Sequence, residues 1–243
     1  MVGVLSGGDI LRHEAKVGGR EGARARIAEA MSSPAEVIDM EADLSEAAAR
    51  MLDGGIGCLP VVQGNRLMGI ITSADILGYQ ARRRVPGASW PAQARDVMTV
   101  APMVAEDGED LLDAVALMLK LGVRHLPVVD GEGRVVGMLS DRDVRSAVGD
   151  PSELALSDEE APERLRTMKV SQAMTAPALT VRQEEPLAAV TRHFLDWRVG
   201  ALPVLDDQDK VVGIISYLDM LDRVYAHFST SGRAGGEATA APR

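Results

Sequence analysis

The chain has 243 residues, 46% of them hydrophobic, which is enough to bury one or two cores and excludes a largely disordered protein. Its formal net charge of -10 opposes nonspecific attraction to nucleic acid, so no nucleic-acid partner is expected, and an anionic ligand would need a local cluster of cations. The longest apolar stretches, such as Val211 to Ile215, fall far short of the roughly 20 residues of a membrane-spanning helix, and no signal region follows Met1; no membrane partner and a cytoplasmic location are expected.

In chain order, Gly3-Val4-Leu5-Ser6-Gly7-Gly8-Asp9-Ile10 reads as an apolar strand leading into a helix start. Met31-Ser32 and Pro34 then precede a helix whose apolar face is Leu44, Ala47 and Met51; Asp43 with Glu46 has capping-box spacing at its start. The run Ile56-Gly57-Cys58-Leu59 follows. Its cysteine is the single one of the chain, has no internal disulfide partner, and reads as a buried structural thiol. The basic run Arg82-Arg83-Arg84 beside Pro86-Gly87 reads as a solvated helix end, with a partner or phosphate contact as the alternative.

Met98-Thr99 opens the next unit, whose helix face is Leu111, Ala114 and Met118. Leu126-Pro127-Val128-Val129 and Val135-Val136-Gly137-Met138-Leu139, separated by Asp130-Gly131-Glu132-Gly133, read as strand, tight turn and strand. The acidic stretch Asp158-Glu159-Glu160 with Glu163 reads as a solvated helix start in a linker. Met174-Thr175 opens a further unit, with Pro186 suited to a first helical turn and Leu187, Val190 and Phe194 on one helix face. Residues 229 to 243 are small, polar and aperiodic, the composition of a disordered tail.

These signals repeat. Pro60, Pro127 and Pro203 each lie 29 residues after Met31, Met98 and Met174, and Thr72, Ser140 and Ser216 follow 12 or 13 residues later. Each of those hydroxyl residues is followed by Asp75, Asp143 and Asp219 at the same Ser/Thr-x-x-Asp spacing, and Ser6 with Asp9 supplies a fourth copy of this last element alone. By comparison with the others, roughly 40 residues of the first repeat are missing, which leaves a miscalled start, a fragment or a natural loss of half a repeat.

The unit Met-Thr-x-x-Pro, helix, Gly-Val-x-x-Leu-Pro-Val-Val, turn, Val-Val-Gly-x-(Leu/Ile)-Ser-x-x-Asp resembles the cystathionine-beta-synthase (CBS) repeat over about residues 1 to 226. The resemblance implies an α/β (α+β) architecture: tandem repeats, each a small sheet with two helices, paired into pseudo-twofold Bateman modules. The boundaries are 1–15 for a truncated repeat one, 27–80 for repeat two, 94–147 for repeat three and 170–226 for repeat four, with the tail at 229–243. A unit of about 55 residues buries too little surface alone, so pairing also follows from size. Repeats three and four, joined by a polar linker, are expected to form a self-contained module.

The same resemblance implies a regulatory ligand containing adenosine, such as AMP, ADP, ATP or S-adenosylmethionine, with no obligatory cofactor. It implies further that the Asp accepts the ribose hydroxyls, the Ser or Thr contacts phosphate or ribose, and the partner repeat holds the base and the remaining phosphate. On that pattern Ser216 and Asp219 face Met103, Val104, Val123, Arg124 and His125. Ser140 and Asp143 face Ala178, Leu179, Val199, Gly200 and Ala201, with Arg142 as a nearby cation. The first cleft is the expected nucleotide site, because Arg124 and His125 stand at its partner edge. Ser6 and Asp9 are expected to meet Ile56, Gly57 and Cys58, while Thr72 and Asp75 lack a partner segment, leaving their cleft open or empty unless a second chain or missing upstream sequence fills it.

Plainer roles exist for each of these residues. Ser-x-x-Asp alone is a helix cap, and a histidine beside Leu-Pro packs as a partly buried side chain. No nucleophile elbow, phosphate-gripping glycine loop or metal-binding helix is visible, so a non-catalytic, stand-alone sensor is expected, acting through a homodimer or a regulated partner protein. The alternative is a structural dimerisation module whose clefts hold no physiological nucleotide.

Overall fold

The computed structural model describes residues 2–7, 9–10, 13, 25–82, 93–148 and 165–234. Arg83, Arg84 and Pro86-Gly87, and the acidic stretch at 158–163, lie outside them. Repeat two contains α1 (Ile27–Ala30), β1 (Ile38–Asp39), α2 (Leu44–Gly54), β2 (Cys58–Gln63), β3 (Arg66–Thr72) and α3 (Ser73–Arg82). Repeat three contains β4 (Thr99–Val100), β5 (Ala105–Glu106), α4 (Leu111–Leu121), β6 (His125–Val129), β7 (Val135–Ser140) and α5 (Asp141–Val148). Repeat four follows with α6 (Val170–Ala173), β8 (Val181–Arg182), α7 (Leu187–Trp197), β9 (Ala201–Leu205), β10 (Val211–Ser216) and α8 (Tyr217–Ala234).

Each repeat folds the same way for the same reason. A short strand crosses through a helix to pair in parallel with the next strand, and a hairpin then adds the third strand antiparallel, as β1-β2-β3, β5-β6-β7 and β8-β9-β10. The helix faces read from the sequence are the buried ones: Ala47 and Met51, then Leu111, Ala114 and Met118, then Leu187, Val190 and Phe194. Asp43 is the N-cap of α2 but makes no side-chain cap bond, and Glu46, the other half of the expected capping box, takes the Arg50 guanidinium at 2.7 Å. Cys58 is half-buried rather than enclosed.

The repeats exchange edges. β4, at the start of repeat three, pairs antiparallel with β10 of repeat four, Gly213 opposite Val100 and Ile214 opposite Thr99. Reciprocally, Thr175 of repeat four bridges Met138 of repeat three, with N–H to carbonyl bonds of 2.9 and 3.0 Å. Ser32 of repeat two bridges Val4 of the N-terminal segment in the same manner. The expected module of repeats three and four is therefore paired through exchanged strands, but only one of its two cores lies within it. One apolar cluster joins Met51, Leu59, Ile76 and Leu77 of repeat two to Phe194, Ile215, Met220, Leu221 and Val224 of repeat four, while a separate cluster around Leu111, Met118, Leu126 and Leu139 of repeat three takes in Val170 of repeat four. The cause is α8, whose buried stripe of Met220, Leu221 and Val224 is spaced for one helix face and covers repeat two as well as its own sheet. This helix runs through Ala234, past Ser229, where composition had predicted disorder; a nucleated helix gains one hydrogen bond for each residue added.

Candidate functional site

Each Ser/Thr-x-x-Asp closes on itself, three of the four as a reciprocal cap. Ser140 N–H and Oγ–H donate to Asp143 Oδ2, and Asp143 N–H donates back to Ser140 Oγ at 3.2 Å. Ser6 with Asp9 and Thr72 with Asp75 do the same, and Ser216 N–H and Oγ–H donate to Asp219 Oδ2 at 2.7 and 2.6 Å. The second carboxylate oxygen then reaches the exchanged segment. Ser32 Oγ donates to Asp9 Oδ1 at 2.9 Å, Thr175 Oγ1 to Asp143 Oδ1 at 2.9 Å, and Thr99 Oγ1 to Asp219 Oδ1 at 3.4 Å. The plain capping role is thus real, and the aspartate is also a clasp between repeats.

Beside one of these clasps lies a cavity of about 410 Å³, within the roughly 300–1,000 Å³ of small-molecule sites. Ser140 and Asp143 form part of its wall, facing Ala178, Leu179, Val199, Gly200 and Ala201 of repeat four as the sequence pattern required. Arg124 and His125 line this same cavity. Sequence reasoning had paired those two cations with Ser216 and Asp219, neither of which is in this wall, and had held that cleft to be the one with cations at its partner edge. β6 and β7 place His125 directly opposite Ser140, and the Arg124 carbonyl accepts the Asp141 N–H at 3.0 Å. Met103, Val104 and Val123 are also outside this wall, Met103 and Val123 with exposed side chains.

Three further arginines complete the lining, Arg142, Arg145 and Arg198, so four guanidinium groups face two carboxylates, Asp141 and Asp143, in a chain of net charge -10. Such an imbalance favours an anion, and planar guanidinium donors suit phosphate oxygens. Arg145 is held by its Nε donating to the Asp141 carbonyl at 3.1 Å, and its guanidinium lies where a Cβ on Gly7 would stand, 2.3 Å away. The N-terminal segment therefore abuts the cavity through Gly7, while Asp9, capped by Ser6, accepts the Ser32 hydroxyl. The Gly57 carbonyl accepts the Ser73 N–H within its own repeat at 3.0 Å.

Arg198 escaped the sequence reading, yet it carried a signal. It is the αL residue that ends α7, with φ 54°, at the position where α2 and α4 end in Gly55 with φ 59° and Gly122 with φ 67°. Glycine takes that conformation freely and arginine does not. On the opposite edge, His125 closes on Gly200 so tightly that a Cβ there would fall 2.3 Å from Nε2. Burial holds the His125 imidazole below its usual range; Arg124 and Arg142 add to the depression, and Asp141 and Asp143 oppose it. Tyr217 completes the wall, its hydroxyl donating to the Phe194 carbonyl at 3.0 Å and its phenol pushed up by burial. Among the described residues, no helix is long and apolar enough to cross a membrane.

The CBS domain family model matches residues 27–82, 94–150 and 170–226. Protein MJ1225 of Methanocaldococcus jannaschii is 26% identical over 196 residues, 80% of this chain and 68% of that protein. Its crystal structure superposes with a TM-score of 0.78, covering 92% of this chain and 84% of the other at 24% identity. A CBS domain-containing protein of Dictyostelium discoideum is 35% identical over 100 residues, 41% of this chain and 68% of the relative. The crystal structure of a conserved protein from Pyrococcus horikoshii has a TM-score of 0.63 at 21% identity, covering 81% of each chain.

Proposed function

The chain belongs to the CBS domain family, and from that premise we propose that it is a non-catalytic sensor whose cavity between repeats three and four binds an adenosine nucleotide of the AMP, ADP or ATP type. The observation that carries this reading is the gathering of Arg124, Arg142, Arg145 and Arg198 around Asp143 in a cavity of about 410 Å³. Phosphate oxygens meet the guanidinium groups and His125, and the base lies against the apolar wall of Ala178, Leu179 and Val199. The ribose hydroxyls donate to Asp143, whose two oxygens match two neighbouring donors.

Binding so arranged is coupled to repeat packing. A ribose on Asp143 competes with the Thr175 hydroxyl for Oδ1, and a phosphate on Arg145 loads the side chain that rests against Gly7. A ligand with different affinities for two packings shifts their populations, and the surface it alters is the one read by a second copy or a regulated protein. S-adenosylmethionine, with a cationic sulfonium in place of phosphate, suits this lining less well than the nucleotides.

A second reading is a structural module without a physiological ligand. It is favoured by the caps and clasps, which satisfy the Ser and Asp groups unaided; no buried side-chain N or O among the described residues lacks a hydrogen-bond partner. Thermal unfolding with and without AMP, ADP, ATP, adenosine and S-adenosylmethionine separates the two. A ligand at 100 times its Kd stabilises by about 2.7 kcal/mol, whereas no response to any of the five supports the structural reading.

A further inference from the structure

Three glycines each seat a methionine from an exchanged segment. A Cβ would meet Met31 Sδ at 2.4 Å on Gly3, Met174 Sδ at 2.4 Å on Gly137, and Met98 Sδ at 2.3 Å on Gly213. The residue after each methionine pairs with the strand beside that glycine, and its hydroxyl donates to the aspartate at the end of the same strand. Recognition is thus three-pronged: a thioether in a glycine notch, an antiparallel backbone pair, and a Ser or Thr hydroxyl on Asp Oδ1.

The fourth notch is empty. Gly69 of β3 has nothing within 4 Å of where its Cβ would stand. β3 is the edge of its sheet, paired with β2 on one side and, among the described residues, with no strand on the other. Leu67, Met68 and Ile70 are 58%, 46% and 59% exposed, while the matching residues of β7 and β10 are buried or half-buried. Asp75, capped on Oδ2 by Thr72, is exposed at the strand's end. An unpaired apolar edge of this length templates the addition of another strand.

We infer that the outer edge of β3 is a docking site for an extended strand carrying methionine followed by serine or threonine, supplied by another polypeptide. The methionine fills the Gly69 notch, the backbone of the next residue pairs with Ile70, and its hydroxyl donates to Asp75. The class of occupant follows from the three filled notches, which share this chemistry. Its place follows from continuity with an existing interface: repeats three and four exchange segments in both directions, whereas the contact of Met31 with Gly3 and of Ser32 with Val4 is one half of such an exchange, and the other half falls on Gly69. The Met-Ser/Thr segments at Met31, Met98 and Met174 are already seated in the other three notches. This surface is distinct from the nucleotide cavity, and the inference stands whether or not that cavity binds a ligand.

The test is fluorescence anisotropy of a labelled peptide with the sequence of residues 96–104, which contains Met98 and Thr99, titrated with the full chain. Saturable binding is expected. It should weaken about tenfold or more when the peptide's methionine is replaced by alanine, and similarly in Gly69→Val protein, where a side chain fills the notch. Ile70→Lys, on the same exposed edge, guards against a folding defect in Gly69→Val, and both variants should melt like the parent. Equal binding of the methionine-free peptide, or undiminished binding by both variants, overturns the inference. Concentration-dependent dimerisation of the free chain that Gly69→Val abolishes would also overturn it, by showing that a second copy occupies the edge.

Discussion

Replacing Arg198 by glycine should separate stability from binding, with the two moving in opposite directions. Arg198 holds φ 54° at the end of α7, where the sister helices use Gly55 and Gly122. The left-handed conformation costs a non-glycine residue about 1–2 kcal/mol, and glycine returns about 0.4–1 kcal/mol of that through its freer unfolded chain. Arg198→Gly should therefore stabilise by about 0.5–1 kcal/mol, a rise of about 1–4 °C in Tm for a chain of this size. Arg198 lines the proposed phosphate end of the cavity, and losing one charge-assisted hydrogen bond costs about 1.5–3 kcal/mol, so AMP should bind about 10- to 100-fold more weakly. Adenosine, which has no phosphate, should bind as before. Differential scanning calorimetry and titration calorimetry on parent and variant read both effects. A lower Tm, or AMP affinity equal to the parent's, would refute the reasoning that strain is retained there for an anion.

Further outcomes follow from packing and titration. Gly137→Ala and Gly213→Ala should each destabilise by about 1–3 kcal/mol in urea melts, since Met174 and Met98 occupy the space of the new methyl, whereas Gly69→Ala should stay within about 0.5 kcal/mol of the parent. His125 is held below 6.5, so its contribution is present above the unfolded value and lost as pH falls: the parent should lose stability relative to His125→Gln on acidification below 6.5, as followed by urea melts. The isolated fragment 94–226 should bind a hydrophobic dye and unfold at a lower temperature than the full chain, because it leaves the part of Met220, Leu221 and Val224 that faces repeat two uncovered; a fragment as stable as the whole chain would contradict the shared core.

The fold was legible because its signals are local and repeated. The constant 29-residue interval from methionine to proline and the three helix faces survive into the structure as exchanged strands and buried stripes. The strand exchange itself was not legible from spacing, although the glycine opposite each methionine becomes intelligible once the notch is seen. Ser140, Asp143, Gly200 and Ala201 were brought together as the motif required. The cations were paired with Ser216 and Asp219 from the partner edge alone; the hairpin register, which sets His125 opposite Ser140, was not part of that motif transfer. Arg145 lies beyond any motif position, and its role depends on an approach to Gly7 that only the three-dimensional arrangement creates. Arg198 was readable in principle, as the one helix-ending position of the three that departs from glycine.

The account rests on Asp143, rather than Asp219, as the ribose acceptor of a cation-lined cavity. Titration calorimetry of AMP into the parent, Asp143→Ala and Asp219→Ala tests this most directly. The expected result is that Asp143→Ala weakens AMP by about 1.5–3 kcal/mol, with adenosine weakened in parallel, while Asp219→Ala binds AMP like the parent. Loss of AMP binding in Asp219→Ala with full retention in Asp143→Ala would contradict the account and return the nucleotide to the opposite cleft.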